Sequence, residues 1–266
     1  MEAEPPDFVE TPTVTEAPMA VRVNGEGVLM TDYEAELQRY QDAMNELGND
    51  YDQSSASSEV LDELINQMLL AQGAQQAGYL PAEGELQAKY TELASEIGNE
   101  DALRTWLFEN HYDDESFRRA LQKEMAAIWM RNQIIASVPQ TAPQVHARQI
   151  LVNDQNQAIA IERQLQIGTA FEDLARQYDP LTAGDLGWFP QGYLLQPDVE
   201  NAAFSLNPGE YSPIIQTNYG FHFVAVIEKD DQHPLSPDAL SFMRKKALLD
   251  WISERREQSL IERIIP

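Results

Sequence analysis

With 266 residues, 44 acids against 18 bases and a net charge of −26, the chain is long enough to bury a core. It is also far too anionic to approach a nucleic acid backbone or an anionic membrane surface. The absence of cysteine excludes disulfides, Cys-ligated zinc and thiol catalysis, and no stretch offers the roughly 18 consecutive apolar residues of a membrane span.

Residues 1–20 hold Pro5, Pro6, Pro12 and Pro18 among five acids and no base, a composition that cannot pack and reads as a disordered acidic linker. Such a tether commonly follows a removed export signal or lipid anchor. Export to the cell surface or periplasm, with a membrane tether on the N-terminal side, is therefore an expectation from architecture, since the sequence itself shows no signal.

From Val21 to Met30 apolar and polar residues alternate around Asn24-Gly25, a strong hairpin signal. Thr31-Asp32-Tyr33-Glu34 then has the spacing of a capping box. Leu37, Tyr40, Met44 and Leu47 continue at helical spacing up to Gly48. Similar periodicity predicts helices over 58–77, 83–97, 101–109 and 114–136, which makes 21–139 a helical domain. Pro139 and Pro143 mark its end.

Over 140–230 the pattern changes to strand (145–152), helix (156–167), helix (170–178), strand (185–189), helix (198–205) and two strands (about 211–217 and 221–228). In 231–266 a last helix is predicted from about 236 to 263. Its stripe of Leu240, Met243, Ala247, Leu248, Trp251 and Ile252 needs a partner. Charge is uneven along the chain: residues 21–139 carry 22 acids against 8 bases, 140–230 carry 11 against 4, and 235–266 carry 5 against 6. The last segment alone lacks an acidic excess, so it can dock on the acidic first domain or stand as a solvated helix.

Three short motifs stand in order within the second domain. They are Val145-His146-Ala147-Arg148-Gln149-Ile150-Leu151-Val152, Gly184-Asp185-Leu186-Gly187-Trp188-Phe189, and Tyr219-Gly220-Phe221-His222-Phe223. Ala202-Ala203-Phe204-Ser205-Leu206-Asn207-Pro208-Gly209-Glu210 lies between the last two. Together they resemble the parvulin-type peptidyl-prolyl isomerases. The hairpin followed by helices, opened by Val23-Asn24-Gly25, resembles more loosely the N-terminal half of SurA-type foldases. The two resemblances imply an α+β fold: a helical chaperone domain, a small mostly antiparallel sheet wrapped by helices, and a C-terminal helix that returns to the first domain.

They also imply isomerisation of X-Pro bonds in unfolded or nascent exported polypeptides, with neither metal nor cofactor. Carried over residue by residue, the resemblance makes His222 the active-site histidine and Thr217 the hydroxyl bonded to it. Gln149 stands where the family has a second histidine; His146, three residues earlier, falls on the other face of the strand. Asp179 is the acid nearest the family's Cys or Asp, on a loop about four residues shorter. The proline cup would be Leu194 or Leu195, Val199 and Phe204, residues that also suit an ordinary core, with Tyr219 flanking the substrate. Trp188 and Phe189 read as structural.

Gln offers a donor and an acceptor but cannot exchange a proton. Its presence lowers the expected rate by roughly ten- to a hundredfold, or marks a chaperone whose isomerase site has lapsed. Asn153, Asp154, Gln155 and Asn156 replace the basic cluster of phosphate-directed parvulins, so no phosphate-specific recognition is expected. Asp50-Tyr51-Asp52-Gln53-Ser54 begins like a calcium loop but has Ser55 and Leu61 where Gly and Glu are required.

Overall fold

A computed structural model of the chain describes residues 17–50 and 52–265, which group into two compact units. The first runs to Gln133 and takes back Leu249 onward; the second is Ile134–Leu248. The expected linker falls mostly on residues 1–16, outside the described residues; Met19 and Ala20 already lie in the first strand.

The first unit opens with β1 (Met19–Val23) and β2 (Glu26–Leu29), paired antiparallel across Asn24 and Gly25. Both turn residues have positive φ, 53° and 86°, the conformation that an Asn-Gly pair adopts with least strain in a two-residue hairpin. Five helices follow: α1 (Met30–Glu46), α2 (Gln53–Gln76), α3 (Glu83–Ile97), α4 (Glu100–Glu109) and α5 (Asp114–Ala136). The capping box at Thr31 is not formed. Helix α1 begins at Met30 with Leu29 as its N-cap and no side-chain cap, because the hairpin stays paired to its end and the Met30 N–H donates to the Pro18 carbonyl at 2.8 Å.

Two apolar clusters fill this unit. One joins Val21, Val23 and Val28 to Leu61, Ile65, Met68 and Leu69 of α2; the other joins Leu86 of α3, Leu103 and Leu107 of α4, and Phe117 and Leu121 of α5. Each fully buried aliphatic side chain contributes about 1.5–3 kcal/mol. The first cluster also takes in Trp251 and Ile261.

The last helix, α9 (Pro237–Gln258), stops five residues before the expected end, and Ile261–Arg263 forms a short strand, here β7, completing a sheet of order β2-β1-β7. A Cβ on Gly73 would stand 2.7 Å from the Trp251 ring, so the absence of a side chain there is what lets the indole dock on α2. Arg256 and Arg263 both bind Asp62, at 2.8 and 2.6 Å. From Leu249 onward the chain thus belongs to the first unit, held there by shape and by charge, whereas the expected segment 231–266 begins in the second unit, which keeps residues up to Leu248.

The second unit is a four-stranded antiparallel sheet of order β4-β3-β6-β5, with β3 (Thr141–Val152), β4 (Asp185–Pro190), β5 (Ile215–Thr217) and β6 (Gly220–Pro234). Pro143 lies inside β3, where the pairing to β6 is irregular and the missing N–H costs no ladder bond. Upstream of β5, Tyr211 makes only an isolated bridge to Ala225. Alternation sorts the strand residues onto two faces. Ile150, Val152 and Phe223 pack under α6 (Gln155–Gln166) and α7 (Phe171–Tyr178), while Val145, Ala147, Val224 and Val226 pack under α8 (Pro197–Ser205).

Candidate active site

The α8 face of the sheet carries Gln149 and His222 toward its β5 end, since both share strand parity with buried Val145, Ala147 and Val224. His222 is 1% exposed. Its Nε2 lies 2.9 Å from Thr217 Oγ1 and its Nδ1 a long 3.4 Å from Gln149 Oε1. An amide oxygen can only accept, so Nδ1 carries the proton and Nε2 accepts from the Thr217 hydroxyl. That hydroxyl oxygen accepts in turn from the Tyr219 N–H at 3.0 Å. Burial lowers the His222 pKa below the ordinary imidazole value, which favours the neutral ring.

Two clefts open beside this chain of bonds. The first, about 270 Å³, is lined by Gln149, Leu151, Asn153, Tyr178, Asp179 and Gly184 among others. The second, about 470 Å³, is lined by Leu195, Pro197, Asp198, Thr217, Asn218 and Tyr219 among others. Gln149 borders one and Thr217 the other, and buried His222 touches both residues. Leu195 and Tyr219 are 88% and 62% exposed, apolar and aromatic surface available to a ligand.

Asp179 reaches the first cleft, but its carboxylate is taken up by its own loop. It accepts from the N–H groups of Leu181, Thr182 and Gly184 and from the Thr182 hydroxyl. The Thr182 hydroxyl bond, followed by the backbone bonds, lowers its pKa below the usual carboxylate value. Gly184, at φ 68°, closes the turn against β3: its carbonyl accepts from Gln149 N at 2.8 Å, and a Cβ there would lie 1.9 Å from the Gln149 carbonyl oxygen. The glycine therefore sets the position of Gln149.

The other cup residues sit deeper. Val199 is 1% exposed in the cluster under α8, against which Leu194 and Phe204 also pack. Phe204 meets Phe189 edge to face at 6.0 Å. His146, on the opposite face from Gln149, bonds Asp185 at 2.8 Å. Trp188 lies near it and stacks on His233 at 3.9 Å.

Two buried residues that sequence reasoning did not single out hold the site's loops. Glu200, 5% exposed, accepts from Gly192 N at 2.6 Å and Leu194 N at 2.8 Å, fixing the loop that carries both leucines. Ser212 exchanges bonds with Val224, two residues beyond His222. Nothing in the spacing of Glu200 separates it from the acids common in a first helical turn.

Residues 135–240 match the family model of the PPIC-type PPIASE domain, and residues 11–121 that of the SurA-like N-terminal domain. The chain is 35% identical over 130 residues to the foldase protein PrsA of Geobacillus sp. (strain WCH70), covering 46% of each. It is 31% identical over 175 residues to that of Caldanaerobacter subterraneus subsp. tengcongensis, covering 62% of this chain and 55% of that one. The crystal structure of the peptidylprolyl isomerase PrsA from Bacillus anthracis aligns over 74% of this chain and 96% of that one, at 25% identity and a TM-score of 0.43. The chain spans about half the length of the curated relatives it matches.

Proposed function

We propose that this chain, a PPIC-type PPIase domain joined to a SurA-like N-terminal domain, is a foldase that isomerises X-Pro bonds in unfolded polypeptides. The supporting observation is the neutral chain Gln149–His222–Thr217 lying between two open clefts, one walled by exposed Leu195 and Tyr219. Rotating an X-Pro bond meets a barrier of about 18–20 kcal/mol and forms no covalent bond. The site's task is to hold the ring, strip water from the amide and offer polar groups matched to the twisted state.

In this proposal Leu195 and Tyr219 receive the proline and its neighbours, with Leu194, Val199 and Phe204 as the packed floor behind them. His222 and Thr217 fix the polar side of the site. Gln149 holds the imidazole's tautomer, and Asp179 holds the loop. Clients are proline-containing polypeptides outside the cytoplasm, with the acidic N-terminal residues serving as a tether. Acceleration of cis-trans exchange in an Ala-Pro peptide, followed by protease-coupled absorbance, tests the activity; equal rates with and without saturating protein would refute it.

A second reading, a peptide-binding chaperone with a lapsed isomerase site, is favoured by two observations: the 3.4 Å reach of Gln149 and the engagement of Asp179 in its own turn. Gln149→His separates the two. A catalytic scaffold gains roughly ten- to a hundredfold; a lapsed one does not respond.

A further inference from the structure

The helical unit contains a hollow of about 210 Å³ at the seam of its two apolar clusters. Val28, Leu64 and Met68 reach it from the cluster on the small sheet, and Tyr112 from the cluster of α3 to α5. Ala35 of α1 and Ala120 of α5 also line it, and their small size leaves space that a larger residue would fill. The rest of the wall is polar or charged.

Its acids all have partners. Asp32 is paired with Arg119 at 3.1 Å and Glu36 with Arg39, while Asp113 accepts from Ser116 N at 2.6 Å. The cations are not all satisfied. Lys123 has no ion-pair or hydrogen-bond partner among the described residues, and the buried Nε of Arg119 has no acceptor. Arg39, Arg119 and Lys123 balance Asp32, Glu36 and Asp113, so an anion meets a neutral wall here in a chain of net charge −26.

We propose that this hollow binds the C-terminal residue of an unfolded polypeptide, an apolar side chain bearing a free α-carboxylate. The volume lies below the roughly 300–1,000 Å³ of a drug-sized site and suits one side chain. An apolar floor beside the unpaired Lys123 and the open Nε of Arg119 suits a ligand that carries both chemistries on one residue. A chain end offers both on one residue, whereas an internal segment must supply the carboxylate and the apolar group from different side chains. The inference rests on the reading that the chain handles unfolded polypeptides, but assigns this contact to the helical unit and its own residues.

Isothermal titration calorimetry with Ac-Gly-Ser-Ala-Phe as the free acid, as its C-terminal amide, and with an amidated Ac-Gly-Glu-Ala-Phe tests it. The free acid binds, and both amides bind at least about tenfold more weakly, the loss of one charge-assisted contact. Lys123→Ala reduces the free acid to the level of its amide, and Ala120→Leu abolishes binding. Both variants keep wild-type prolyl isomerisation rates, so a failure of this site is distinguishable from a failure of the proposed enzyme. Equal affinity for acid and amide, equal affinity for the glutamate peptide, no binding of the acid at millimolar concentration, or full affinity in Lys123→Ala overturns the proposal.

Discussion

The two units treat polar side chains in opposite ways. In the sheet unit Gln144, Glu200, Ser212 and His222 are all buried, and each is hydrogen-bonded to the backbone or to another side chain. Among the described residues, the helical unit buries no comparable polar residue; its charges sit at the surface or around the hollow, in exposed pairs such as Arg104 with Asp101. A buried, satisfied network is costly to disturb and holds one geometry, which suits the site proposed to match a twisted amide. Helices joined through apolar faces and surface pairs can adjust at their seams, which suits binding of varied chain segments.

The contrast is broken most severely at Gly184. Gly184→Ala forces a Cβ into the Gln149 carbonyl at a residue with positive φ, at an expected cost of more than about 4 kcal/mol. In a thermal melt the sheet unit should lose its transition while the helical signal persists. Glu200→Ala removes the buried acceptor of two loop N–H groups and should cost about 1–3 kcal/mol by denaturant titration. It should also slow isomerisation, because the loop bearing Leu194 and Leu195 is released.

Trp251→Ala tests the other unit. The ring is only partly buried against α2, so a loss of about 2–3 kcal/mol is expected, confined to the helical transition and without effect on catalysis. The smallest effect is a dependence on pH. Burial depresses the His222 pKa, so the stability tied to its neutral form is fully present above about pH 6.5, the unfolded value. It is lost as pH falls through the lower folded value. Wild type should therefore lose stability on acidification more steeply than His222→Gln, and parallel curves would refute a neutral buried imidazole.

Helices α3 and α5 were legible to the residue because their apolar positions recur over several turns. Strand β7 was not: Ile261-Glu262-Arg263 has no periodicity of its own and exists through pairing with β1. The start of α1 was misread because a local cap signal at Thr31 competed with a hairpin that stays paired through Leu29. In the candidate site, the order of the motifs was enough to bring Gln149, Thr217 and His222 together. The full engagement of Asp179 was not readable, since its bond from Gly184 N lies beyond Ala183, a non-glycine residue at positive φ. Glu200 escaped notice because its partners are backbone groups of a loop without a sequence signature.

The central claim is that buried His222, held by Thr217, organises a site that turns X-Pro bonds. Two-dimensional NMR exchange on an Ala-Pro peptide measures this without a coupling protease. Wild type is expected to accelerate cis-trans exchange, Thr217→Val to do so several-fold less, and His222→Ala at least about tenfold less. Exchange at the uncatalysed rate with wild type, or at the wild-type rate with a folded His222→Ala, would contradict it.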